Sequence, residues 1–87
     1  MPKRPVEIQT AHNIEILRLA RGISQRQLAV RVAALGRPLS HTAISRVERI
    51  RRRCGVDDLA TIAAALGISP MTLLQPLGTV QEASHRG

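Results

Sequence analysis

Within the 26 residues from Ile23 to Glu48, ISQRQLAVRVAALGRPLSHTAISRVE, the chain carries two helix starts and one enforced stop. This stretch leaves few architectures open. Ser24 followed by Gln27 is a capping box: the hydroxyl accepts from the third helical N–H while the amide reaches back to the cap. Leu28, Ala29, Val32 and Leu35 then recur at helical spacing and form one apolar stripe. Gly36 and Pro38 stop that helix, because Gly takes a left-handed cap and Pro cannot extend the hydrogen-bond ladder. Ser40 is placed to cap a second helix, running from His41 to about Ile50. In that helix Ile44 and Val47 point one way, while His41, Thr42, Ser45, Arg46 and Arg49 face elsewhere.

The flanking sequence extends the helical pattern. A first helix is expected from Thr10 or Ala11 to Arg21, with Ile14 and Leu17 inward, Arg18 and Arg21 on the wetter side, and Gly22 as its end. A fourth helix starts near Gly55 to Asp57 and buries Leu59, Ile62, Ala63 and Leu66 before Gly67. Ser69–Pro70 gives an N-cap followed by proline at the first helical position, opening a fifth helix over about Met71 to Gln75. The core must be aliphatic, since the chain has no Phe, Tyr or Trp. The resulting expectation is an all-α fold of five helices. Residues 10–77 form the domain, residues 1–9 a flexible N-terminal arm that can reach a minor groove or simply stay disordered, and residues 78–87 a polar tail.

The formal charge of +7 is unevenly spread. Residues 18–53 hold ten arginines and one acid, Glu48, whereas residues 54–87 hold three acids and one arginine. A basic surplus confined to the two-helix unit and its exit indicates a phosphate-binding face; the alternative is an ordinary solvated surface in an Arg-rich chain. A short helix with its apolar side tucked in and its polar side bare is what a DNA major groove admits. The single cysteine, Cys54, permits no intrachain disulfide and fits a reducing compartment. His12, His41 and His85 lack metal-ligand spacing, so no metal or cofactor is expected. No signal-peptide core and no run approaching the roughly 20 apolar residues of a membrane span is present, and a cytoplasmic, nucleoid-associated protein without a membrane partner is expected.

Several segments taken together resemble a known family: Leu17-Arg18, Ala20-Arg21-Gly22-Ile23-Ser24-Gln25, Leu28-Ala29, Ile44-Ser45-Arg46-Val47-Glu48 and Ala65-Leu66-Gly67-Ile68-Ser69. They are similar to the helix-turn-helix domain of the lambda repressor/Cro type, the xenobiotic-response-element family, over about residues 11 to 75. The resemblance implies a five-helix lambda repressor-like DNA-binding domain. In it the helix matching Gln25–Leu35 crosses the groove and the helix matching His41–Arg49 enters it, with base contacts at the places of His41, Thr42 and Arg46. The residue matching Gln25 touches phosphate. This chain departs from the family in two ways. Ala33 to Ser40 carries about five extra residues, resembling small actinobacterial regulators with an LGRP-type turn. Arg49-Ile50 also stands where the family often has Gly.

The candidate base-reading residues are His41, Thr42, Ser45 and Arg46. Arg46 can bond guanine O6 and N7 together, or else pair with Glu48 at the surface. Thr42 can meet a base edge or a thymine methyl, or simply start its helix. His41 can donate to a phosphate or a base, or stand as an exposed first-turn histidine. Ser45 is open to either contact or none, and Glu48 reads as structural. The candidate phosphate-binding residues are Gln25, Arg26, Ser40, Arg49, Arg51, Arg52 and Arg53. Gln25 sits at a helix N-terminus, where free N–H groups and the helix dipole favour an anion.

The expected function is a sequence-specific double-stranded DNA-binding transcriptional regulator, a repressor acting as a homodimer through the region of Leu74 and Leu77. No small-molecule ligand is evident. The competing class is the antitoxin, or protein-interaction module, of a toxin–antitoxin pair, against which the short polar tail argues. No paired carboxylates, nucleophile–base pair or phosphate loop indicates an enzyme.

Overall fold

The computed structural model describes residues 5–76 and contains five α-helices there: α1 Pro5–Ala20, α2 Gln25–Ala34, α3 His41–Glu48, α4 Val56–Leu66 and α5 Pro70–Leu73. Helices α2, α3 and α5 each start on a serine cap. Ser24 Oγ accepts from the Gln27 N–H at 3.0 Å, and Gln27 Oε1 accepts from the Ser24 N–H at 2.7 Å, completing the capping box. Ser40 Oγ accepts from the Ala43 N–H and Ser69 Oγ from the Met71 N–H. Helix α2 ends in a Schellman turn: the Arg37 N–H reaches the Val32 carbonyl, the Gly36 N–H reaches that of Ala33, and Gly36 has φ of +98°.

All five helices feed one aliphatic core. Its fully buried side chains include Ile14 from α1, Leu28 and Val32 from α2, Ile44 from α3, Ile62 from α4 and Leu73 from α5. Asn13, buried on α1, donates from Nδ2 to the carbonyls of Leu73 and Gln75 at 2.9 and 2.6 Å. One side chain thus satisfies the last carbonyl of α5 and one just beyond it, and ties this segment to the first helix.

The starts and stops of α1, α3 and α5 differ in part from the sequence expectation. Helix α1 starts at Pro5, because proline suits the first helical position and Glu7 favours the positive end of the helix. It therefore takes in residues 5–9, which the sequence reading gave to an arm; residues 1–4 lie outside the described residues, as do Leu77 and the tail. Helix α3 stops at Glu48 instead of running to Ile50. Helix α5 opens at Pro70 as the Ser69–Pro70 pair implies but is only four residues long, ending at Leu73 short of Gln75. The extra residues between Ala33 and Ser40 are shared between α2 and its exit, with Leu39 turned into the core at 7% exposure.

Candidate nucleic-acid interface

Helix α3 has two sharply different sides. Ala43, Ile44, Val47 and Glu48 are buried. Thr42, Arg46 and Arg49 are exposed, and His41 and Ser45 are half-buried at the margins. Positions 42, 46 and 49 lie four and three residues apart, so they form a single stripe along the outer face. The helix cannot roll to hide that stripe without pulling Ile44 and Val47 from the core.

A buried ion pair fixes the same helix from behind. Arg18 on α1 donates from Nε to Glu48 Oε2 at 2.7 Å and from Nη2 to Glu48 Oε1 at 3.0 Å. Its Nη1 donates to the Ile23 carbonyl at 2.9 Å in the turn between α1 and α2. Gln25, at the start of α2, donates from Nε2 to Glu48 Oε1 at 3.0 Å. The Arg18 and Glu48 side chains are 8% and 3% exposed. The hydrogen bond to Glu48 raises the Arg18 pKa above its ordinary value against the opposing cost of burial. The sequence reading placed Arg18 on the wetter side; the structure puts it inside, because Glu48 supplies a desolvated carboxylate at matching geometry. A positional signal was available. Arg18 follows Ile14 by four residues and Glu48 follows Ile44 by four, so each charge lies on a core-facing stripe.

This pair decides what remains free. Glu48 is already occupied, so Arg46 has no bridge to it. Among the described residues, Arg26, Arg46, Arg49 and Arg51 form no ion pair with any acid. Gln25 keeps a second amide N–H beyond the one given to Glu48. Ser40 has its hydroxyl oxygen engaged as the cap of α3. Arg52 and Arg53 are placed differently from the other basic candidates: Arg52 Nη2 lies 4.0 Å from Asp58 Oδ2, and Arg53 Nε lies 3.9 Å from Glu7 Oε1. Arg53 remains 82% exposed and Arg52 46%.

Around α3 the connections are also held. Arg37, in the α2–α3 connection, donates from Nε and Nη2 to Asp58 Oδ1 at 3.1 and 2.7 Å. Beyond α3, the Arg51 N–H reaches the Arg46 carbonyl and the Ile50 N–H that of Val47, which is the same Schellman closure seen after α2. Here the left-handed position is filled by Ile50, with φ of +60°, in place of a glycine. Cys54 lies half-buried behind this turn; burial, reinforced by Asp58 and opposed by Arg52, pushes its thiol up to about 11. No group of His, Cys, Asp and Glu able to hold a metal occurs among the described residues. No described helix is long and apolar enough to cross a membrane.

Two short, side-chain-capped helices, the second tucked into the core and bare on its outer face, define a helix-turn-helix unit. Residues 11–75 match the model of the helix-turn-helix domain, and the chain belongs to that family. A solved structure similar to it is that of hypothetical transcription factor NHTF from Neisseria, with 27% identity, a TM-score of 0.79 and 95% of each chain covered. No curated protein sequence gives a significant match.

Proposed function

We propose that this chain is a sequence-specific double-stranded DNA-binding transcriptional regulator, acting as a homodimeric repressor in the cytoplasm. The observation that carries the reading is the outer face of α3. It presents Thr42, Arg46 and Arg49 as one stripe, with Arg46 free of any acid among the described residues. A planar guanidinium on a groove-sized helix is suited to the paired acceptors of guanine. In this assignment His41, Thr42, Ser45 and Arg46 read bases. Gln25, Arg26, Ser40, Arg49, Arg51, Arg52 and Arg53 meet phosphates, Arg52 and Arg53 by exchanging Asp58 and Glu7 for the DNA backbone. The similarity to a transcription factor over 95% of the chain supports the regulatory role. The surface for a second copy is sought at Leu74, which lines a groove with Val6, Ile50 and Val56 beside the charged Glu7, Arg51, Arg52 and Arg53. Repression follows sterically, since two recognition helices in successive major grooves exclude polymerase from the site.

Selection from a random duplex library tests the proposal. The expected product is a palindrome whose half-sites are centred about 34 Å apart, one turn of DNA. An isolated half-site bound by a monomer contradicts the dimer, and a library that yields no enriched sequence contradicts the function.

A further inference from the structure

The two connections that bracket α3 converge on one carboxylate. Arg37 reaches Asp58 Oδ1 from the α2–α3 side through two N–H groups, at 3.1 and 2.7 Å. Arg52 approaches Asp58 Oδ2 from the α3–α4 side at 4.0 Å. Asp58 is 6% exposed and lies in the first turn of α4, where the helix dipole favours a negative charge. Asp57 adds a weaker contact to Arg37 at 3.9 Å and stays exposed. The long α2–α3 connection is also anchored from below by buried Leu39, whose N–H donates to the Arg37 carbonyl at 2.9 Å. Arg37 is therefore held at both its backbone and its side chain.

We propose that Asp58 is a specificity-determining positioning residue. It touches no DNA. It fixes the entry of α3 against α4, and it withholds Arg37 from phosphate. The inference rests on the DNA-binding reading above. Its physical content is a double effect. With the α2–α3 connection held, α3 meets base edges at one angle. With the Arg37 guanidinium neutralised, sequence-independent attraction to the backbone is kept lower. Specificity is the ratio of the two affinities, so Asp58 acts on its numerator and its denominator together.

The test is competition binding of the full chain between the selected duplex and a shuffled duplex, for the wild type, Asp58→Asn and Arg37→Lys. Asp58→Asn is expected to lower the preference for the selected site about tenfold, comparable to losing one base contact, while affinity for shuffled DNA stays level or rises. The salt slope on shuffled DNA should steepen by about one unit as a released arginine finds a phosphate. Arg37→Lys keeps the charge but replaces the planar fork by a single ammonium, and is expected to lower the preference by a smaller factor at an unchanged slope. An unchanged preference, or an equal fall in both affinities, overturns the proposal, since a purely structural defect weakens both duplexes alike. If Asp58→Asn loses its helical circular dichroism, Arg37→Lys decides, because its side chain is 43% exposed and its loss leaves the core packed. A wild type that prefers no duplex refutes the DNA-binding reading itself, which separates that failure from a failure of this one.

Discussion

Ile50 holds a backbone conformation that costs a β-branched residue about 1–2 kcal/mol. It persists because the turn after α3 is closed at both hydrogen bonds and Ile50 lines a groove with Val47 and Leu59. Replacing Ile50 by Ala and by Gly separates the two effects, since both delete the side chain and only glycine relieves the positive φ. The Gly variant is expected to be more stable than the Ala variant by about 1 kcal/mol in urea denaturation; equal stabilities would mean that the turn relaxes elsewhere. Arg46 offers a second residue-level test. Arg46→Ala should cost roughly 1–3 kcal/mol at one base pair of the selected site and little at others, whereas Arg51→Ala should weaken all duplexes alike. Competition against single-base variants of the site distinguishes them, and uniform weakening by Arg46→Ala would make it a phosphate residue. Cys54 gives a third. A thiol whose pKa rises from 9.0 to about 11 is less ionised at pH 8 than an ordinary cysteine, by about a hundredfold. Alkylation at that pH should be correspondingly slow in the native protein and fast in urea. The neutral form is the one the fold favours, so this site removes stability as pH rises from 9 towards 11.

At the scale of elements, the Arg18–Glu48 pair joins α1, α3 and the start of α2. Removing one partner strands the other charge in a site that excludes water, which typically costs about 3–5 kcal/mol. Arg18→Ala should therefore destabilise the domain far more than Arg21→Ala, at the exposed residue just past the end of α1, and the double variant Arg18→Met with Glu48→Gln should recover much of the loss. A cost for Arg18→Ala below about 1 kcal/mol would place the pair in contact with solvent. The starts of α2, α3 and α5 at Ser24, Ser40 and Ser69 were legible in the sequence because a cap is a bond between residues two or three apart. The glycine stops at Gly22, Gly36 and Gly67 were legible for the same reason, each taking a positive φ. The Arg18–Glu48 and Arg37–Asp58 pairs span 30 and 21 residues, and local pattern can place Arg18 and Glu48 on core-facing stripes but does not say which charge meets which. The stop of α3 was obscured because its left-handed cap is an isoleucine. The outer stripe of α3 needed only helical period and the positions of Ile44 and Val47. The diversion of Arg52 towards Asp58 needed the packing of α4 against the rest.

The whole molecule combines an aliphatic core drawn from all five helices with a basic two-helix unit whose one acid is already neutralised from within. A small domain of this kind has a thin stability margin, and binding to DNA should raise its melting temperature by mass action. The electrostatic part of that binding belongs to no single residue. For the proposed dimer, neutralising about six phosphates, the logarithm of affinity should fall with the logarithm of salt at a slope near −5. Shuffled DNA should show a steep dependence as well, since phosphates are the same at every step, while the separation between selected and shuffled duplexes reports what α3 reads. The decisive measurement is therefore an equilibrium titration of the full chain on both duplexes between about 50 and 200 mM salt. The account predicts steep lines for both, with the selected site tighter throughout. A flat line, or two lines that coincide, contradicts it.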